Sequence, residues 1–246
     1  LYLEEANRFI NLKKYEEALK FILSYFKKFP NKTVGNTVLG DLIYQLSLAF
    51  SKNKKYSLSE KCWNLLININ PDNYYYKRLK DKIRYLKEKD EKGYFSRAIQ
   101  LLELIEECEE YLRNPAKRID DESWINKVST ILEKAESLDP FFDIIWEDKG
   151  IFNTLTLNFK DSIKCFKESA RLNPSNETVW VHLGLAYVQL GEYKSALEAL
   201  DKALKLNPQY RYAKEKHRMV KSILLENRGD ESRLSGNLKE AYEFYR

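Results

Sequence analysis

The sequence predicts an all-α protein built from stacked pairs of antiparallel helices. Three of its prolines, Pro140, Pro174 and Pro208, stand 34 residues apart, and a fixed period of this length is typical of repeat proteins. Only 8 glycines and 6 prolines occur among 246 residues, which favours long helices over turns. Residues of similar size also recur at fixed distances before the prolines.

These recurring residues form columns when the chain is aligned on Pro30, Pro71, Pro140, Pro174 and Pro208. Fifteen positions earlier the residue is mostly aromatic: Tyr15, Tyr56, Ile125, Phe159 and Tyr193. Twelve positions earlier it is mostly small: Ala18, Ser59, Val128, Ser162 and Ala196. Eight positions earlier it is large and apolar: Ile22, Trp63, Leu132, Phe166 and Leu200. Because small residues let helices approach closely, the columns predict one helix crossing per repeat.

The helix pair is clearest between residues 177 and 208. One face of the first helix has apolar spacing i, i+3, i+4, i+7: Trp180, Leu183, Gly184 and Tyr187. The inner face of the second helix carries Ala196, Leu200 and Ala203. Gly191 can end the first helix, and Pro208 stops the second. Gly184 is predicted at the crossing, where only a glycine would fit.

This pattern resembles the tetratricopeptide repeat family. The best match consists of Trp180, Leu183, Gly184, Tyr187, Ala196, Leu200, Ala203 and Pro208. The preceding unit is similar through Trp146, Gly150, Phe159, Phe166 and Pro174. The first two units are similar through Ala6, Phe9, Tyr15, Ala18, Leu46, Ser47, Phe50, Tyr56 and Trp63. The resemblance implies an α-α superhelix, a right-handed solenoid of about thirteen helices.

The spacing is irregular between Pro71 and Pro140, where three long helices are predicted at about 74–91, 94–113 and 121–138. The segment 114–121, NPAKRIDD, is the best linker candidate, because Pro115 falls outside the repeat spacing. We therefore predict an N-terminal array over residues 1–115 and a C-terminal array over residues 120–246.

A second irregularity follows Pro208. The segment GNLKEAYEFY near the C-terminus is similar to the second helix of a unit, but it starts eleven residues late. Eleven residues make about three helical turns, so the insertion lengthens a helix and preserves its inner face. We predict one long helix at about 210–234 and a short last helix. We also expect that the array can continue beyond Arg246.

Charge and composition limit the class of protein. Residues 1–118 hold 23 Lys and Arg against 16 Asp and Glu, or +7, and residues 119–246 hold 19 against 21, or −2. Three scattered cysteines and no CxxC motif favour a reducing, cytoplasmic location. No apolar run approaches the roughly 18 residues of a membrane span. We expect no metal site, since only two histidines occur and they lie 35 residues apart. We also expect no cofactor.

The most basic segment is the helix Tyr74–Lys92, with eight Lys and Arg and four Asp and Glu. A basic surface there would include Lys77, Lys80 and Arg84. Three explanations stay open: a solvated helix with ion pairs, a surface for an acidic protein, and a surface for nucleic acid. Nucleic acid is the explanation that we expect least.

No catalytic motif is present, so we predict that the chain is not an enzyme. It lacks a phosphate-binding GxxxxGK[ST] loop, a GxSxG elbow and an HExxH helix. His182 and His217 are interpreted as residues of helix surfaces. Cys62 and Cys165 each lie beside the large inner residue of their helix, which indicates buried, unreactive thiols.

The candidate binding site is a second stripe along the first helices of the last two units. In the family that the chain resembles, these positions line the concave groove in which peptides lie. On the final unit they are Val181, His182, Leu185, Val188 and Gln189. On the preceding unit they are Ile144, Glu147, Asp148, Ile151 and Leu155. The alternative is that neighbouring repeats cover the stripe.

The sequence therefore predicts a non-enzymatic scaffold that binds a peptide or helix of a protein partner in this groove. One alternative is a protein that uses the basic N-terminal half to associate with nucleic acid or ribosomes. Another is a non-catalytic module of a larger enzyme. Self-association also stays open, and we expect no membrane partner.

Overall fold

The computed structural model describes residues 2–71, 73–113 and 122–234, together with residue 243. All regular structure in these ranges is helical, which confirms the predicted fold class. A short 3-10 helix, Pro30–Lys32, follows the second α-helix. The α-helices of the described residues are α1 Tyr2–Asn11, α2 Tyr15–Lys28, α3 Thr37–Lys52, α4 Tyr56–Ile69, α5 Tyr74–Glu91, α6 Phe95–Arg113, α7 Glu122–Leu138, α8 Asp143–Leu155, α9 Phe159–Leu172, α10 Glu177–Gln189, α11 Tyr193–Leu206 and α12 Arg211–Leu234.

The predicted long helices are present at the predicted places. Helices α5, α6 and α7 begin and end within one residue of the expected bounds. Helix α12 spans 24 residues, which confirms the long helix expected after Pro208. The thirteenth helix, predicted within the last eleven residues, lies outside the described residues except for residue 243.

The described chain divides into two compact units, residues 1–102 and 103–246. The division lies inside α6, so that helix starts in the first unit and ends in the second. The linker predicted at 114–121 lies outside the described residues. The boundary at that segment, with arrays over 1–115 and 120–246, therefore stays a prediction.

The same tight turn joins the two helices of five pairs. Its middle residue has a left-handed backbone and stands two positions before the aromatic residue that opens the second helix: Lys13, Lys54, Gly93, Leu157 and Gly191. In the last turn the Glu192 N–H donates to the Tyr187 carbonyl at 3.0 Å. This six-residue loop closes the C-terminus of the first helix as a Schellman motif does.

This turn identifies α5 and α6 as a pair that the proline spacing conceals. Gly93 has a φ of 77°, Phe95 opens α6, and Ala98 at the small position is buried. The expected proline fifteen residues after Phe95 is replaced by Glu110. Helix α7 is then the odd one of the three long helices in this region.

The core of the first unit is formed by the facing sides of α1 to α5. Its fully buried members include Ala6, Ala18, Leu46, Leu66 and Leu79. Three hydroxyl groups are buried where α3 crosses α4. The Ser59 hydroxyl lies 2.6 Å from the Ser51 hydroxyl and donates to the Ser47 carbonyl at 2.7 Å.

The second unit contains two close helix crossings at the glycines of the repeat. A Cβ atom on Gly150 would lie 2.4 Å from the Phe166 ring, and one on Gly184 would lie 2.9 Å from Leu200 Cγ. Both separations are shorter than atoms in a packed interior allow. The prediction that Gly184 lies at a crossing is therefore confirmed, and Gly150 occupies the same position one repeat earlier.

Candidate partner-binding site

The second unit holds α8 and α10, the two helices that carry the predicted groove, in equivalent positions. In each repeat an asparagine after the second helix donates to an acid at the start of the first helix. Asn173 Nδ2 donates to Asp143 Oδ2 at 2.8 Å, and Asn207 Nδ2 donates to Glu177 Oε1 at 3.3 Å. Both pairs are 30 residues apart, so the same side-chain bond closes successive repeats.

Tryptophan side chains fix the first helices in a second way. Trp146 Nε1 donates to the Pro140 carbonyl at 2.7 Å, and Trp180 Nε1 donates to the Pro174 carbonyl at 3.1 Å. Each bond ties a first helix to the proline that ends the repeat before it. The faces of α8 and α10 are therefore held in place before any partner binds.

Four of the ten predicted groove residues are buried, which corrects the expectation that they line an open surface. Ile144, Glu147, Asp148 and Val181 expose none of their surface. The physical reason is that neighbouring helices cover them, which is the alternative the sequence left open. These side chains support the fold and cannot contact a partner in this structure.

Buried Glu147 connects α8 with α10. Its Oε1 lies 3.4 Å from His182 Nδ1, and its Oε2 accepts a hydrogen bond from Asn176 Nδ2 at 3.4 Å. The His182 ring also lies 5.4 Å from the Phe166 ring. His182 is therefore part of a contact between consecutive repeats. The interpretation from the sequence, a residue of a helix surface, did not include this contact.

The other predicted residues keep part of their surface exposed. Ile151 and Leu155 on α8 pack partly against the apolar cluster of α6 and α7. Leu185 and Val188 on α10 pack partly against the cluster of α11 and α12, and Gln189 is exposed. The accessible candidate surface therefore consists of Ile151, Leu155, His182, Leu185, Val188 and Gln189.

The predicted basic surface on α5 is less open than its composition suggests. Lys77 has a buried ammonium group, and Arg84 lies 2.9 Å from Asp81. Lys80 is exposed, with its Nζ 5.2 Å from the centre of the Trp63 ring. Two further cations of the helix, Arg78 and Lys82, are buried.

The three cysteines are buried, and none of them forms a disulfide. Burial raises the pKa of the Cys62 thiol to about 12, and burial also raises the pKa of Cys165. The thiolate is the reactive form, so these groups are unreactive near neutral pH. The expectation of buried, inert cysteines at positions 62 and 165 is confirmed.

Two absences hold for the described ranges alone. They contain no helix that is long and apolar enough to span a membrane. They also contain no group of three His, Cys, Asp or Glu side chains arranged to hold a metal ion.

Residues 178–210 match the family model of the tetratricopeptide repeat. Superkiller protein 3 of Schizosaccharomyces pombe is 35% identical over 65 residues, which make up 26% of this chain and 5% of that protein. The probable UDP-N-acetylglucosamine–peptide N-acetylglucosaminyltransferase SPINDLY of Hordeum vulgare is 29% identical over 86 residues, or 35% of this chain and 9% of that protein. The chain thus spans a tenth or less of these relatives.

Solved structures that are similar to this chain include tetratricopeptide repeat proteins. One is TTC0263, described as a thermophilic TPR protein of Thermus thermophilus. It is 15% identical, with 89% of this chain and 96% of that chain covered and a TM-score of 0.44.

Proposed function

We propose that this tetratricopeptide repeat protein is a non-catalytic scaffold that binds a peptide or helix of a protein partner on the exposed parts of α8 and α10. The fold is in general one of protein-interaction scaffolds. The observation that carries the proposal is the second apolar face of α10, where Leu185 and Val188 remain partly exposed. Covering that face would remove apolar surface from water, which favours association.

The exposed side chains of this surface would have different roles in binding. Leu185 and Val188 would supply apolar contact, and Ile151 and Leu155 would extend it along α8. Gln189 can donate and accept hydrogen bonds at the edge and so orient the ligand. Because Glu147 and Asp148 are buried, their carboxylates do not make this surface prefer a ligand with a basic residue.

The bonds that hold α8 and α10 favour tight binding. The side-chain bonds of Asn173 and Asn207 and the tryptophan bonds close each repeat in advance. A surface that is ordered before binding loses less conformational entropy when the complex forms.

Photo-crosslinking tests this proposal in the full chain. We would place p-benzoylphenylalanine at the exposed Gln189 and, as a control, at the exposed Lys205 of α11. Both variants would be expressed in the native organism, and crosslinked proteins would be identified by mass spectrometry. The proposal expects a defined protein crosslinked from position 189 and not from position 205. Equal products from both positions would contradict it.

The contacts of the basic helix α5 argue against the nucleic-acid alternative. Two of its cations are buried, and Arg84 is paired with Asp81. Lys92 is paired with Glu88 at 2.7 Å. Phosphate binding depends on cations that can approach the backbone, and few of those on α5 remain free to do so.

A role as a module within a larger protein is a second candidate. The observation in its favour is that the matched regions are only 9% of SPINDLY and 5% of superkiller protein 3. The mass of the native gene product, measured by immunoblotting or mass spectrometry, tests it. A product of about 29 kDa, the mass of this chain, would contradict the module proposal.

A further inference from the structure

A cleft in the second unit lies apart from the surface proposed above. It has a volume of about 470 Å³ and is lined by residues of α9, α10 and α11. Buried Leu183 and Ala199 form its floor, and the half-buried rings of Trp180 and Tyr187 form its walls. Clefts of this size and apolar character are typical of ligand sites. We call it the Trp180 cleft.

Two lysines border the Trp180 cleft without a carboxylate partner in the described ranges. Lys202 Nζ lies 4.4 Å from the centre of the Trp180 ring, and Lys167 Nζ lies 5.6 Å from the centre of the Tyr187 ring. The third cation, Arg171, is held by Glu168 at 2.6 Å. The lining also includes one acid, Glu198. The three lining cations and one lining carboxylate give a net charge of +2.

A cleft between α4 and α5 of the first unit has the same composition. Its volume is about 410 Å³, and it is lined by Trp63, Ile83, Lys80, Arg84, Lys87 and Glu60. We call it the Trp63 cleft. It again combines a tryptophan, a buried apolar floor residue, three cations and one carboxylate. The net charge of these lining residues is again +2.

Two contacts in the Trp63 cleft also match contacts in the Trp180 cleft. Lys80 Nζ lies over the Trp63 ring, as Lys202 lies over Trp180. Arg84 is paired with the acid three residues before it, Asp81, as Arg171 is paired with Glu168. Within the described ranges, neither Lys80 nor Lys87 has a carboxylate partner. Two units with different local sequence therefore present the same chemistry.

We infer that each cleft binds an acidic peptide segment that places one large apolar side chain on the apolar floor, beside the tryptophan ring. The apolar side chain would itself leave water when it packs against the floor. Carboxylates on either side of it would meet Lys167 and Lys202 in the second unit, or Lys80 and Lys87 in the first. Charge complementarity of this kind orients a ligand and speeds its association.

Nucleic acid fits the clefts less well. Binding of single strands depends on aromatic faces on which bases stack. Here lysine ammonium groups already lie over Trp63 and Trp180. Both indole N–H groups also donate to backbone carbonyls, that of Trp63 to Tyr76 at 3.0 Å. The rings are thus fixed and occupied, and they do not form a free stacking platform.

The test starts from a phage-displayed library of random 12-residue peptides, selected on the full chain. We expect the enriched peptides to contain Asp or Glu on both sides of an aromatic residue or leucine. A synthetic peptide of that consensus would then be titrated by calorimetry, with two bound per chain expected. Enrichment without an acidic bias, or one bound peptide per chain, would overturn the proposal.

Matched charge reversals assign the peptides to the clefts. Lys167→Glu with Lys202→Glu should reduce the number bound from two to one, as should Lys80→Glu with Lys87→Glu. All four changes together should weaken binding at least tenfold. The control is Lys160→Glu with Lys205→Glu, which changes exposed lysines of α9 and α11 outside the cleft and should leave two peptides bound.

Three further results would overturn the inference. The first is unchanged peptide binding in the fourfold variant while its thermal melting matches that of the unchanged protein. The second is loss of peptide binding in the control. The third is tighter binding of a 12-nucleotide poly(U) strand than of the peptide at physiological salt, if the fourfold variant no longer binds that strand. If peptide binding depends on Leu185 and not on the four lysines, the peptides bind the surface of α8 and α10, and the clefts are not their site.

Discussion

A Cβ atom on Gly184 would lie 2.9 Å from Leu200 Cγ and 3.1 Å from the Ala196 carbonyl oxygen. Leu200 is fully buried, so it has little room to move away. The closeness of α10 and α11 therefore depends on the absence of a side chain at position 184.

Gly184→Leu should destabilise the protein by about 1–3 kcal/mol, because the added side chain overpacks this crossing. Thermal or urea unfolding of the variant measures the change. Gln189→Leu is the control, since it adds a leucine to an exposed site of the same helix and should change stability by less than about 0.5 kcal/mol. Equal stability of the two variants would contradict the close crossing.

Ser59→Ala should cost about 1–3 kcal/mol, because it leaves the buried Ser51 hydroxyl without the Ser59 hydroxyl as partner. The double change Ser51→Ala with Ser59→Ala removes both polar groups and should recover part of that loss. Urea unfolding of the unchanged protein, both single variants and the double variant gives the comparison. The opposite outcome is that the effects of the two changes add, so that the double variant loses the sum of the two single losses in free energy of unfolding. In that case the two hydroxyls do not act as a buried pair.

Cys62 should react very slowly with a thiol reagent in the folded protein. Its pKa is raised to about 12, about three units above the ordinary value, which lowers the thiolate fraction about a thousandfold at neutral pH. Burial adds a steric barrier. Labelling with Ellman's reagent should be complete in denaturant and nearly absent without it. Rapid labelling of Cys62 under native conditions would show that α4 opens readily.

Asp90 should stabilise the first unit in a pH-dependent way. Its side chain pairs with Lys54 and accepts a hydrogen bond from the Tyr56 hydroxyl at 3.1 Å, and these contacts lower its pKa. A lowered folded-state pKa means that the stabilisation is present above the unfolded-state pKa and is lost as pH falls through the folded-state pKa. Asp90→Asn should therefore lower the melting temperature at pH 7 and have little effect near pH 2. An equal effect at both values would contradict the charge interaction.

Much of the fold follows from local sequence patterns. The aromatic, small and large columns of the repeat depend on contacts inside one helix pair, so the place of Gly184 at a crossing could be predicted. The bounds of α5, α6, α7 and α12 could also be predicted, although three of these helices lie outside the columns. The pairing of α5 with α6 was missed, although Gly93 and Ala98 carried the signal. The proline that marks the other repeats is absent there.

The candidate site was less predictable, because burial of a first helix depends on its neighbours. Glu147 and Asp148 have the polarity of surface residues, yet both are buried between repeats. Nothing in the local sequence shows that His182 and Asn176 from the next repeat contact Glu147. The Trp180 cleft was also missed, since its lysines come from helices two elements apart.

The most direct test of the proposed binding surface is Leu185→Glu, examined for both stability and binding. Leu185 is partly buried against the cluster of α11 and α12, so we expect a cost of about 1 kcal/mol, less than that of Gly184→Leu. The protein crosslinked from position 189 should no longer bind the variant, because a charge replaces the apolar contact. We predict a folded variant, shown by a cooperative thermal transition, that fails to capture this partner in a pull-down. A folded variant that captures the partner as well as the unchanged protein would contradict the account.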